Sequence, residues 1–266
     1  MYLYAFIAVV VIFIVIFYKQ KTLTVVSAYF DIKSKRSDNE YDIRMKNLLS
    51  KLNCNLVFYT TPDKIEILKE YRGIYADKTT FIPTELDNIS AIRKFGLDFW
   101  KIQNQLYDDA RYKDMPYLGA LWYNKKEFML DAITKNIYNT THFAWLDAGV
   151  YDRDVTDTTL NVNENLLTNK IIMYGLTNID SQTTEYFNSK IEDFIAGDTY
   201  IGDKESIVNY IRLYDQTVDE YLEKNMCIYM DQNIMSTIVI RFPNKFTLLE
   251  GYWRTLFNKL FRSPSE

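Results

Sequence analysis

Thr24 to Phe30 reads TVVSAYF, Asn55 to Thr60 reads NLVFYT, and between them the apolar residues from Tyr41 to Leu52 recur at helical spacing. The two flanking runs are β-branched and aromatic and are bounded by charge, which predicts a strand, a helix and a second strand. The alternation continues outward from this βαβ start. Ile65, Leu68 and Tyr71 predict a second helix, and Thr79 to Ile82 a third strand stopped by Pro83. Phe99 to Tyr107 and Met115 to Ile133 read as helices, then His142 to Leu146 (HFAWL) as a fully buried strand and Lys170 to Tyr174 as another. Strands separated by helices argue for an α/β fold, a mainly parallel central sheet flanked by helices on both faces. No repeat is visible and no Pro/Gly/Ser linker interrupts the chain after Thr22, so residues 22–266 are expected to form a single domain.

Composition narrows the function classes. The 266 residues carry 31 Lys and Arg against 35 Asp and Glu, a formal charge of -4 and a sequence pI near 5.3. A nucleic-acid partner is disfavoured, because neutralising phosphates needs a basic excess. Apolar residues at 48% and charged residues at 25% argue against disordered, collagenous and coiled-coil classes. With only Cys54 and Cys227, there is no disulfide framework and no all-cysteine zinc site. His142 is the sole histidine, which argues against a His-clustered metal site. Chemistry must rest on carboxylates, lysines and backbone dipoles.

Tyr2 to Tyr18, YLYAFIAVVVIFIVIFY, carries no charge over 17 residues and is followed by Lys19 and Lys21. As a helix it spans ~25 Å, close to the roughly 30 Å hydrocarbon core, with the flanking lysines and tyrosines bridging the difference. Residues 1–21 are therefore expected to be a transmembrane anchor and the chain a single-pass membrane protein. A cleaved signal peptide would need a basic start, a shorter apolar run and a small-x-small site, which are missing. Lys19, Lys21, Lys33, Lys35 and Arg36 follow the span, so the positive-inside rule places the large domain in the cytosol. The sequons at Asn88 and Asn139 would count for the lumenal side if they are used.

Such sheets bind ligands at the carboxyl ends of their strands. Four short polar elements are expected there: Tyr29-Phe30-Asp31, Thr60 to Asp63, Asp147-Ala148-Gly149 and the loop from Gly197 to Asp203. Asp147 is delivered by a buried strand onto a turn of small residues. A carboxylate so placed can hold a Mg²⁺ or Mn²⁺ ion that bridges a diphosphate, or it can simply accept backbone N–H bonds. Asp152-Arg153-Asp154 spells D-x-D but has no apolar lead-in and reads as a solvated loop. Asp231-Gln232 opens an apolar-periodic helix, where an acid serves as a cap or is aimed at a hydroxyl as general base. Lys125, one turn from Trp122, either carries its ammonium toward the strand ends, where it can neutralise a diphosphate, or is an exposed helical lysine. The aromatic, basic stretch from Trp253 to Arg262 either rests on a membrane surface or packs as a core-facing last helix.

The segments TLTVVSAYFDI (Thr22 to Ile32), NCNLVFYT (Asn53 to Thr60), EYRGIYADKTTFIP (Glu70 to Pro83), YLGALWYNKKEFMLDAI (Tyr117 to Ile133) and HFAWLDAGVYDRD (His142 to Asp154), in this order, resemble the HtrL/YibB family. The similarity covers most of residues 22 to 240. Members of that family look like nucleotide-sugar glycosyltransferases of the GT-A type, and bacterial ones are associated with lipopolysaccharide assembly. The resemblance implies a GT-A-like fold and transfer of a sugar from a nucleotide-sugar donor to a hydroxyl of a glycan or glycoconjugate. Phe30, Asp31, Thr60, Arg93, Lys125, Asp147 and Gly149 would then meet the donor, and Gly197, Asp198 and Gly202 the acceptor side. Asp231 would be the base of an inverting reaction; in a retaining one, Asp231 or Gln232 would support the donor sugar. Asp147 would hold a divalent metal, Mn²⁺ or Mg²⁺, if one is used. Gly149 stands where GT-A enzymes place the second acid of their D-x-D, and no histidine follows His142. The resemblance therefore leaves open a protein that binds nucleotide sugar or glycan without turnover.

Overall fold

Along Leu23–Tyr29 successive side chains enter two different cores, Val25 on one face and Val26 on the other, as the two-residue period of a strand buried on both sides requires. A computed structural model describes residues 21–151, 159–176, 194–251 and 254–262. In chain order its elements are β1 (Leu23–Tyr29), α1 (Asp38–Lys51), β2 (Leu52–Asn53), β3 (Asn55–Thr60), α2 (Ile65–Arg72), β4 (Thr79–Pro83), α3 (Ser90–Phe95), α4 (Leu97–Tyr107) and α5 (Pro116–Lys135). There follow β5 (His142–Leu146), β6 (Leu160–Val162), β7 (Ile171–Gly175), β8 (Thr199–Asp203), α6 (Lys204–Glu223), α7 (Asp231–Arg241), β9 (Phe246–Glu250), α8 (Thr255–Leu260) and β10 (Phe261–Arg262). The expected βαβ start is β1, α1 and β3, with β1 and β3 parallel from Thr24 beside Asn55 to Tyr29 beside Thr60.

The central sheet runs β4-β3-β1-β5-β8-β7-β9. Every neighbouring pair is parallel except those made by β8, which is antiparallel to both β5 and β7. The fold is thus mixed α/β with a mainly parallel sheet, and β8 is the one reversed strand of this sheet among the described residues. Its reversal matters for the site, because Thr199, where β8 begins, pairs with Leu146, where β5 ends. A small sheet, β10-β6-β2, lies apart from the large one.

Helices cover both faces, as the alternating pattern demands. One core joins Val26, Val57, Phe143 and Trp145 to Phe128 and Met129 of α5, Tyr210 of α6 and Ile238 of α7. The other joins Val25, Phe58 and Leu146 to Leu48 and Leu49 of α1 and to Leu256 and Phe257 of α8. The segment Thr255–Leu260 is thereby core-facing. Helix starts follow local chemistry: the Ser37 side chain accepts from the Glu40 amide, and Asp203 accepts from the amides of Glu205 and Ser206 at 2.9 and 3.0 Å.

Among the described residues no helix is long and apolar enough to cross a membrane. The anchor expected over Tyr2 to Tyr18 lies outside the described residues, as does Asp152-Arg153-Asp154.

Candidate functional site

At the carboxyl ends of the parallel strands lies a cleft of about 820 Å³, its open mouth included. Its walls are aromatic: Tyr29 and Phe30 from the end of β1, Trp122 and Phe128 from α5, and Trp145 from β5. Arg36, Asp38 and Tyr41, from the entry into α1, close another side. Lys125, Asp147 and Asp198 supply its fixed charge.

Lys125 organises the floor. Helix α5 begins with Pro116 at its first position, and the three-residue spacing of Trp122, Lys125 and Phe128 puts all three toward the cleft. The Lys125 Nζ lies 3.1 Å from Asp147 Oδ1, 3.0 Å from Asp231 Oδ2 and 2.9 Å from the Gly197 carbonyl oxygen. Two carboxylates and one carbonyl thus surround the ammonium. Burial works against the charge of Lys125, but Asp147 and Asp231 outweigh it and raise its pKa, so the group stays cationic. The exposed-lysine reading does not hold, since Lys125 is buried.

Asp147 sits immediately after β5, with its side chain 36% exposed toward the cleft. The indole N–H of Trp145 donates to Asp147 Oδ1 at 2.7 Å, so the oxygen facing Lys125 is fixed from two sides. The Asp147 amide donates to the Asp198 carbonyl at 2.8 Å, which extends the β5–β8 pairing by one residue. Asp198 is therefore carried to the same spot from the opposite strand direction. Asp198 is 5% exposed, its carboxylate oxygens are buried, and neither makes a well-formed hydrogen bond, although the Tyr174 hydroxyl stands near enough to lower its pKa. Burial, with Asp147 adding to it, pushes Asp198 up to about 7.

Two glycines have steric reasons. A Cβ on Gly149 would meet the Tyr41 ring at 2.8 Å, so a side chain at this position requires that ring to shift. Its carbonyl accepts from Arg44 Nη1 at 3.2 Å. A Cβ on Gly197 would come within 3.1 Å of Asp231 Oδ2, which explains how Asp231 can approach so closely.

The sequence-predicted residues therefore divide. Phe30, Lys125, Asp147, Gly149 and Asp198 line the cleft, and Gly197 supports its floor. Asp231 is joined to them through Lys125 but is only 4% exposed and lies behind the ammonium rather than on the cleft surface. Gln232 donates from Nε2 to the Ile195 carbonyl at 2.8 Å. Four more residues are not brought to the cleft. Asp31 is exposed and pairs with Lys64 at 3.2 Å; Thr60 is buried at the end of β3; Arg93 reaches only Ser90 Oγ at 3.5 Å. Gly202 lies inside β8, where a Cβ would press on Ile171 and Ile207 at 3.1 and 3.2 Å, so it serves strand packing and not a loop. Arg36, Tyr41 and Trp145 escaped the sequence reading; only Trp145, two residues before Asp147 on the same face, carried a usable signal.

Residues 21–263 match the family described as bacterial protein of unknown function (HtrL_YibB). The chain belongs to the HtrL_YibB family. The match spans the central sheet and the cleft, so in this HtrL_YibB chain the Lys125 cluster lies inside the family region. No curated protein matches it. Among solved structures it is similar to mouse xyloside xylosyltransferase 1 in its apo form, at 13% identity over 86% of this chain and 84% of that one, with a TM-score of 0.47.

Proposed function

We propose that the cleft binds a nucleoside diphosphate sugar and that the protein transfers the sugar to a hydroxyl of a glycan or glycoconjugate. The observation that carries this reading is Lys125, a buried ammonium held between two acids at the carboxyl ends of parallel strands, beneath a wall of aromatic rings. A departing diphosphate gathers negative charge, and a fixed cation in a site with little water stabilises such charge without reorganising. The rings of Tyr29, Phe30 and Trp122 offer flat apolar surface to a base or a sugar. Asp147 can accept from ligand hydroxyls. Asp231 holds Lys125 in place.

A divalent metal is the group that this chemistry commonly employs. Among the described residues no three His, Cys, Asp or Glu side chains converge to hold one. The donor set nevertheless fits a hard cation that takes one or two carboxylates and fills its other positions with water and phosphate oxygens, since Asp147 opens on the cleft and Asp198, whose buried carboxylate has no well-formed hydrogen bond, is among the residues that line it. Such an ion would add charge to balance the diphosphate.

A second reading, binding without turnover, is favoured by one observation: neither Asp231 nor Gln232 lines the cleft, so neither stands ready beside an acceptor. Thermal shifts with UDP, GDP and CMP sugars, followed by transfer and hydrolysis assays, separate these readings. The enzyme reading expects a stabilising donor and turnover that falls at least about 100-fold in Lys125→Met. Stabilisation by a donor with no turnover on any acceptor supports the binding protein, and no stabilisation by any donor removes both. We further propose that Tyr2 to Tyr18 tethers the domain to a membrane with the cleft on the cytosolic side; protease protection in sealed vesicles tests it, and glycosylation at Asn88 or Asn139 would reverse it.

A further inference from the structure

We propose that Asp198 is the second carboxylate of a divalent-cation site whose first carboxylate is Asp147. The inference deepens the nucleotide-sugar reading and rests on it for the source of the remaining ligands, the diphosphate oxygens.

Three observations converge. The position two residues after Asp147 is a glycine packed against Tyr41, where a Cβ would lie 2.8 Å from the ring, so the turn itself supplies no second acid. A carboxylate is nevertheless delivered to the same end of the sheet, by β8, whose reversed direction sets Asp198 beside Asp147 with the Asp147 amide on the Asp198 carbonyl at 2.8 Å. Asp198 is among the residues that line the cleft, is more than nine-tenths buried, and has no well-formed hydrogen bond to either carboxylate oxygen. A buried acid without a partner is costly, and native folds keep such groups where a ligand satisfies them.

Charge points the same way. The floor holds the Lys125 ammonium between the carboxylates of Asp147 and Asp231, and Asp198 lines the same cleft. Lys125 is already ion-paired with Asp147 and Asp231 and donates to the Gly197 carbonyl, and no ion pair joins it to Asp198 among the described residues. A diphosphate entering this floor adds further negative charge, and a divalent cation bound by Asp147 and Asp198 offsets it.

The test is a titration of Mn²⁺ into the full chain, following free Mn²⁺ by its electron paramagnetic resonance signal, alone and with UDP, GDP or CMP present. One bound ion is expected, tighter with the matching nucleotide. Asp198→Asn and Asp147→Asn should each weaken Mn²⁺ binding at least tenfold, while Asp98→Asn, an exposed acid of α4, should not. Because Asn is isosteric with Asp and removes an unpartnered buried charge, Asp198→Asn should melt no lower than the parent in chelator, which guards against misfolding. Wild-type affinity for Mn²⁺ in Asp198→Asn overturns the proposal, as does a nucleotide that binds equally in chelator and in Mn²⁺. Loss of Mn²⁺ in Asp198→Asn with no nucleotide binding at all supports the cation site and removes the nucleotide-sugar reading instead.

Discussion

The two ends of the central sheet treat their polar groups differently. At the amino end the account closes: His142 meets Thr141 Oγ1 at 2.9 Å and the Thr168 carbonyl at 3.1 Å, and Thr24 Oγ1 meets Thr140 Oγ1 at 2.7 Å. A buried cation there, Arg72, donates to the carbonyls of Leu49 and Cys54 at 2.9 and 2.7 Å, to the Leu52 carbonyl and to Thr79 Oγ1 at 2.6 Å. At the carboxyl end, buried side-chain atoms of Thr60, Asp198 and Thr199 lack hydrogen-bond partners. Arg72 and Lys125 are both buried cations surrounded by acceptors, so burial and pairing do not tell structure from function. What separates them is what the acceptors face: Arg72 is closed in by backbone, whereas Lys125 and Asp147 open on a cleft.

The sharpest way to break this comparison is Lys125→Met. It leaves Asp147 and Asp231 facing each other without their cation, and should cost about 3–5 kcal/mol in stability together with ligand binding. Thermal melting and nucleotide titration on the same preparation check both effects; retained binding would erase the distinction between the two ends. Arg72→Met comes next. It strands three buried carbonyls and should cost about 3 kcal/mol or more, yet the folded fraction should bind ligand as the parent does. A changed affinity in that variant would mean that the amino end reports on the cleft.

Much of the fold was legible because it is written locally. The two-residue alternation in β1, β3 and β5 and the three-to-four spacing in α1, α2 and α5 identify the elements whichever way they later pack. Asp147 and Lys125 were legible for the same reason, one by its position after a buried strand, the other by one helical turn from Trp122. The reversal of β8 was not, because strand direction depends on a distant partner and leaves no mark in its own residues. Asp198 was placed on the acceptor side, whereas its link to Asp147 follows from that reversal alone. Asp31 and Arg93 were expected at the donor, but sequence position fixes where a residue leaves a strand or helix and not which surface its side chain takes; Lys64 draws Asp31 outward.

Smaller effects sharpen the contrast. Gly149→Ala should cost about 1–3 kcal/mol, because its new methyl meets the Tyr41 ring, and pairing it with Tyr41→Ala should recover part of the loss; additivity in the double variant would show that the two do not touch. The smallest effect is expected from His142. Burial holds its pKa below the usual histidine value, with the Thr168 carbonyl opposing. Its contribution is therefore present above about pH 6.5, the ordinary histidine value, and fades as pH falls through the lowered native value. A melting-temperature profile of His142→Gln should be flatter than the parent below that pH, and an unchanged profile would assign the loss to other groups.

The hydrogen bond from the Trp145 indole to Asp147 gives the cleft an optical signal of its own. Indole emission follows the charge beside its nitrogen, so anything that draws on the Asp147 carboxylate should shift the colour of Trp145 fluorescence. Trp100, wholly buried with its N–H on the Ala91 carbonyl, supplies a steady reference in the same spectrum. Occupancy can then be read without a label.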